Sequence, residues 1–153
     1  MSSIQPVSDL TAHIGFWLRM VSNHVSHAFA DKLADKRVTV AEWSLMRALY
    51  GKEPTPPSRL ADEMGMTRGA ITKLADRLIA KSLIAREASA RDGRAQTLTL
   101  TDRGSNLVPD LAALADRNDA EFFECLDADE RKALERLLRS LARRRRMTAF
   151  PIG

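Results

Sequence analysis

Apolar positions recur at helical spacing through most of this chain, and the period changes in one place only. Ile14, Leu18, Val21, Val25 and Ala28 are spaced 4, 3, 4, 3, a heptad seam on a long first helix that Ser8 or Asp9 can cap and that is predicted to run to about Lys36. Thr39-Val40-Ala41-Glu42 has the capping-box pattern and opens a second helix, with Trp43, Met46 and Leu49 on its buried face and Gly51 at its end. After a connector from Lys52 to Thr55, a third helix is predicted to start at Thr55, with the hydroxyl as N-cap and Pro56 and Pro57 in the first turn. Leu60, Ala61 and Met64 form its apolar side. Gly65 ends it, since glycine reaches the left-handed conformation at little steric cost. Thr67 caps a fourth helix, in which Ile71, Leu74, Leu78 and Ile79 recur at i, i+3, i+7 and i+8. Beyond Lys81 the period shortens. Leu83 to Glu87 and the alternating Gln96 to Leu100 read as two strands, joined across Asp92-Gly93, a strong turn signal. Thr101 ends the second strand and caps a further helix bearing Leu107, Leu111, Leu114 and Ala115, with a bend expected at Pro109. Phe122, Phe123 and Leu126 close that segment. Asp127 to Glu130 caps a last helix striped by Leu134, Leu137, Leu138 and Leu141.

Two short helices joined at Gly65, with small Ala61 and apolar Ile71 where they cross, form a helix-turn-helix. The other face of the fourth helix carries Thr67, Arg68, Gly69, Thr72, Lys73 and Arg77. Donors gathered at a helix start on a basic face suit insertion into a DNA major groove. The hairpin tip adds Arg91 and Arg94, with Arg91 expected in the minor groove and Arg94 either there or paired with Asp92. A helix-turn-helix followed by an arginine-tipped hairpin is a winged helix, and this one resembles the MarR family of bacterial transcription regulators. The resemblance rests on Asp92-Gly93-Arg94 and on Leu100-Thr101-Asp102-Arg103-Gly104, which match the family's wing signature, and on the placement of the flanking helices. It implies a mainly α fold with a small β-hairpin wing, a winged helix-turn-helix domain over 37–104, and a helical dimerisation region from 1–36 and 105–150. It also implies a two-fold dimer on a palindromic double-stranded operator. The terminal helices carry more apolar surface than so small a reading head can cover, which independently favours a second copy. Repression is expected over activation, because a dimer filling a promoter site blocks polymerase without further contacts. Ligand-independent or redox-responsive regulation, and a winged helix used for protein contacts, are the alternatives.

Composition narrows this picture without changing it. The chain has 153 residues, 44% hydrophobic and 29% charged, with a formal net charge of +4, ordinary for one globular unit. Between Thr55 and Gly104, nine Lys or Arg face six Asp or Glu. Arg143 to Arg146 is a second basic concentration, read either as a phosphate contact or as cations complementing a helix dipole. No apolar run approaches a bilayer span and the N-terminus lacks a signal-peptide core, so a cytoplasmic protein without membrane partners is expected. Enzymatic motifs such as the G-x-S-x-G elbow, the phosphate-binding glycine loop and H-E-x-x-H do not occur. No cofactor is implied. His24 and His27 have metal-ligand spacing but no second ligand cluster. Cys125 sits among Phe122, Phe123 and Leu126, so a packed, unreactive thiol is expected rather than a redox sensor.

One stripe remains. His13, Trp17, Met20 and His24 lie one position behind the heptad seam, and Trp43, Met46 and Arg47 of the second helix are expected to face them. Aromatic and thioether walls with a few polar groups describe a small-molecule cleft, although plain core packing is the leading alternative. In the resembling family, aromatic acids often bind between these helices and the DNA-binding part.

Overall fold

The computed structural model describes residues 3–152 apart from Ala90, Asp92 and Arg94. Its elements run in the order α1 (Ile14–Ala34), α2 (Val40–Leu49), α3 (Pro57–Met64), α4 (Arg68–Ala80), β1 (Ile84–Ala88), β2 (Gln96–Leu100), α5 (Asp102–Phe122) and α6 (Ala128–Arg144). The mainly α architecture with a small hairpin is the expected one. The long first helix is shorter at both ends than its pattern suggested. A separate 3-10 turn over Leu10–Ala12 precedes it, because His13 is extended, at φ −100° and ψ 128°.

Local chemistry sets most boundaries. Thr39 and Glu42 make the reciprocal capping box at the start of α2, with bonds of 2.9 and 3.1 Å, and Asp127 and Glu130 repeat it at α6, at 3.0 and 2.9 Å. Gly65 ends α3 at φ 64°. Thr55 does not cap α3, contrary to the sequence expectation. Pro56 holds that position, and Thr55 instead exchanges both backbone hydrogen bonds with Leu98, at 3.0 and 2.8 Å, as a one-residue bridge on the edge of β2. The tertiary pairing outcompetes the cap because it satisfies two buried backbone groups at once.

One core serves the reading head. Leu45, Met46 and Leu49 of α2, Leu60, Ala61 and Met64 of α3, and Ile71, Leu74, Ala75 and Leu78 of α4 are buried together. Leu83, Ile84 and Leu98 of the hairpin region, Leu33 of α1, and Val108 and Leu111 of α5 join them. The hairpin pairs Ile84 with Leu100 and Ala88 with Gln96 in antiparallel register. Thr101 then couples wing to helix. Its hydroxyl donates to the Ser82 carbonyl at 2.7 Å and accepts the Gly104 N–H at 3.0 Å. A Cβ at Gly104 would lie 2.1 Å from the Leu83 carbonyl oxygen, so only glycine lets α5 start this close to the hairpin. That is the physical content of the L-T-x-x-G signature. The helix α5 continues through Pro109 without stopping.

Outside this core the outer helices are bare. Helix α6 buries no residue, and α1 buries only Leu33. Val25 and Ala28 of the heptad seam are half-buried, and Asn118 of α5 donates to the Val25 carbonyl at 3.2 Å. The N-terminal half of the seam is open, with Ile14 85% and Leu18 48% exposed. On α6, Leu137 and Leu141 are more than half exposed. Cys125 is exposed as well, a correction to the packed thiol expected from its neighbours. Helix α5 ends at Phe122, and the Phe122 and Phe123 rings pack edge to face at 5.0 Å, so the turn that follows aims the thiol outward.

Candidate nucleic-acid interface

The fourth helix divides cleanly by burial. Ile71, Leu74, Ala75 and Leu78 face the core, while Thr67, Arg68, Gly69, Thr72, Lys73 and Arg77 are all exposed on the other side. Thr67 caps the helix, its hydroxyl accepting the Ala70 N–H at 3.1 Å. The cap leaves the first-turn amides of Arg68 and Gly69 pointing outward at the positive end of the helix dipole. A Cβ at Gly69 would meet nothing within 4 Å. The protein itself does not require glycine there, and its absence of a side chain leaves room for something to approach the backbone. The Thr72 hydroxyl donates to the Arg68 carbonyl at 3.0 Å and keeps its lone pairs outward. Arg68, Lys73 and Arg77 form no ion pair among the described residues.

Asp76 lies on the same face and would oppose a polyanion. Arg86 of β1 pairs with it, which neutralises the acid and ties the hairpin to α4. At the wing tip Arg91 is exposed, with its N–H 3.3 Å from the Ser89 hydroxyl. Asp92 and Arg94, which carry the turn signal and the second wing arginine, lie outside the described residues.

A buried ion pair, not foreseen from the sequence, holds the far end of α4. The Lys81 ammonium donates to both carboxylate oxygens of Glu42 at 2.9 Å and to the Arg37 carbonyl at 2.7 Å. Glu42 is fully buried. Burial alone would push its carboxyl upward, but Lys81 and the Thr39 N–H and hydroxyl outweigh this and hold it below the usual carboxylate range. The reading helix is thus clamped at its C-terminal end to the α1–α2 corner. No sequence signal links residues this far apart, and Glu42 already had a local role as the capping-box acid.

The expected small-molecule cleft is not assembled in this chain. Met46 is fully buried in the core. Trp43 and Arg47 line a cleft of about 470 Å³ on α2 and α3 with Ser44, Met64 and Phe150. His13, Trp17, Met20 and His24 lie apart from it, exposed along α1. The Trp17 indole donates to the Thr11 carbonyl at 3.0 Å. Along α2, Met46 is fully buried, Trp43 sits half-buried at the margin of the same core, and Arg47 is exposed, so only Trp43 and Arg47 reach the cleft surface. Among the described residues no group of three or more His, Cys, Asp or Glu is placed to hold a metal ion. No helix among them is long and apolar enough to cross a membrane.

Comparison with known proteins agrees with this geometry. A family model described as MarR family matches residues 38–95, from the start of α2 through the hairpin tip. A probable transcriptional regulator from Pseudomonas aeruginosa is 26% identical, with a TM-score of 0.77 over 87% of this chain and 99% of that one. A cysteine-to-serine mutant of MarR from E.coli, complexed with operator DNA, is 25% identical, with a TM-score of 0.77 over 88% of this chain and 99% of that one. BpsR from Bordetella bronchiseptica, whose DNA binding is regulated by 6-hydroxynicotinic acid, shares the fold at 23% identity and a TM-score of 0.78, over 90% of this chain and 98% of that one. The chain thus has a winged helix-turn-helix fold in which residues 38–95 match the MarR family, and over most of its length it is similar to solved transcriptional regulators of that kind.

Proposed function

We propose that the chain works as a homodimeric, ligand-responsive repressor that binds a palindromic operator in double-stranded DNA. The observation that carries this reading is the exposed basic face of α4, where Arg68, Lys73 and Arg77 pair with no carboxylate among the described residues and Thr67, Arg68 and Gly69 stand at its open N-terminal turn. Residues 37–104 form the DNA-binding unit, and 1–36 with 105–150 the dimerisation region, working in the cytoplasm. The two share a core through Leu33, Val108 and Leu111. Exposed apolar residues of α1 and α6 support a second copy, as does the cleft of about 500 Å³ between the end of α5 and α6, which Phe123, Leu134 and Leu138 help to line. A two-fold dimer presents its reading helices to half-sites roughly 34 Å apart. The E.coli MarR mutant complexed with operator DNA supports the same mode of binding here.

The test is base readout. After an operator is selected from random duplexes, Arg68→Ala and Lys73→Ala should weaken its binding far more than Glu53→Ala, which lies in the connector before α3. A bidentate base contact is worth roughly 1–3 kcal/mol. Lost discrimination against random DNA marks a base contact, and uniform weakening marks a phosphate contact. Unchanged operator affinity in both variants would reject α4 as the reading helix.

For the effector we propose a small aromatic acid or phenol, a reading supported by the 6-hydroxynicotinic acid that regulates BpsR. Trp17 and Trp43 now fall on separate surfaces, so fluorescence separates two sites. A compound that quenches emission and releases DNA at the same concentration is expected from a panel of aromatic carboxylates. Retained quenching in Trp17→Phe and loss in Trp43→Phe places it in the cleft of Trp43, Arg47 and Met64. The reverse result places it on the stripe of His13, Trp17, Met20 and His24. A broad panel without any response would remove the effector from the proposal.

A further inference from the structure

The chain does not end with α6. Arg144 is its last residue, Arg145 its C-cap, and Arg146 turns left-handed at φ 54°. The Met147 N–H reaches the Ala142 carbonyl at 2.9 Å and the Arg146 N–H the Arg143 carbonyl at 3.2 Å, a Schellman turn with arginine where glycine is usual. That turn sends the tail back across the helix-turn-helix. The Phe150 N–H donates to the Met64 carbonyl at 2.9 Å, satisfying an acceptor that the end of α3 leaves open. The tail backbone lies directly on Gly65, where a Cβ would sit 2.6 Å from the Ala149 Cα and 3.1 Å from the Thr148 carbonyl oxygen. Gly65 therefore has two reasons to be glycine, its positive φ and this close approach.

The strap fixes where the arginine run lies. Arg146 is two residues from Thr148, and Gly65 is two residues from Thr67, so each step spans at most about 7 Å. Arg143 to Arg146 thus end beside the turn that leads into the N-terminal end of α4, the end proposed to meet the bases. All four are exposed, and among the described residues none pairs with a carboxylate. Arg131 and Arg139, earlier on the same helix, do pair, with Asp119 and Glu135. Guanidinium groups left free beside a DNA-reading turn fit phosphate oxygens.

We propose that Arg143–Arg146, positioned by the Thr148–Phe150 strap, form a second, sequence-independent contact with the DNA backbone flanking each half-site. This rests on the chain binding DNA, and one experiment separates the two claims. Affinity of the full-length protein for a random-sequence duplex is measured across a salt series. Each phosphate contact adds about 0.9 to the slope of log affinity against log salt. Replacing all four arginines by Gln should lower that slope by about 2 to 4, and replacing them by Lys should largely restore it. Arg139→Gln should leave it unchanged. Deleting residues 148–153, which keeps the arginines but removes their anchor, should lower it by about 1 or more. A wild type that does not bind the duplex at low salt would defeat the DNA-binding reading itself. A wild type that binds while the Gln variant, equally folded by circular dichroism, keeps its slope overturns this proposal alone. A normal slope in the truncated protein would overturn the strap's part in it.

Discussion

Replacing Lys81 with Met should destabilise the protein by about 3 kcal/mol, the low end of the range for breaking a buried ion pair, because the lysine itself is partly solvated. The cost arises at Glu42, whose carboxylate is fully buried and would lose both of its 2.9 Å bonds to the ammonium. Urea unfolding of the single variants and of Glu42→Gln with Lys81→Met gives the coupling between them. The double variant should recover much of the loss, since no charge is then left buried alone. The pH dependence should change sign at this site. In the wild type the Glu42 carboxyl is held below its unfolded value of about 4.3. Its contribution is therefore present above that pH and is lost as pH falls through the lower folded value. In Lys81→Met only burial and the Thr39 bonds remain, and burial raises the carboxyl. The folded state then takes up the proton more readily than the unfolded chain, so acidification should stabilise the variant relative to Glu42→Gln. A Lys81→Met protein within 1 kcal/mol of wild type, with the same pH profile, would show that the clamp contributes little.

Leu18→Glu and Leu138→Glu should each convert the proposed dimer into a folded monomer. In the single chain these leucines are 48% and 42% exposed, so a carboxylate there has solvent within its own subunit. Only association would bury it. Because a two-fold interface repeats every substitution, the penalty of about 3–5 kcal/mol for an uncompensated buried charge applies twice. The dimerisation constant should weaken roughly ten-thousand-fold or more. Light scattering should report half the wild-type mass with unchanged helical circular dichroism, and binding to a palindrome should fall to that of a single half-site. Wild-type protein that stays monomeric at high concentration would remove the dimer and the palindrome together.

What could be read from the sequence was what neighbouring residues decide. Thr39 with Glu42, Asp127 with Glu130, and Gly65 followed by Thr67 each encode a helix end within a few positions, and the structure has them there. The strand Gln96–Leu100 shows its limits by alternation. The basic face of α4 was legible because helical period alone separates Arg68, Lys73 and Arg77 from Ile71 and Leu74. Sequence reading failed where distant groups intervene. Thr55 has every local mark of an N-cap, yet Leu98 takes it into a strand bridge. Cys125 has apolar neighbours, but the end of α5 turns it to solvent. The Lys81–Glu42 pair and the tail on Gly65 join residues with no local pattern in common. Spacing puts Trp43 and Met46 on one face, but depth separates them: Met46 is fully buried in the core, whereas Trp43 packs at its margin and lines the cleft with Met64 and Phe150.

The junction at Thr101 has a mechanical consequence. One residue ends the wing and starts α5, and the Gly104 contact with the Leu83 carbonyl leaves no slack between them. A helix of 21 residues is about 31 Å long, so it acts as the long arm of a lever whose short arm is the hairpin. A swing of about 5 Å at the Phe122 end corresponds to a tilt of about 10° at Thr101. With no flexible joint to absorb that tilt, the wing must turn with the helix. A displacement of a few ångströms at the far end of α5 is then enough to re-aim the hairpin that carries Arg91.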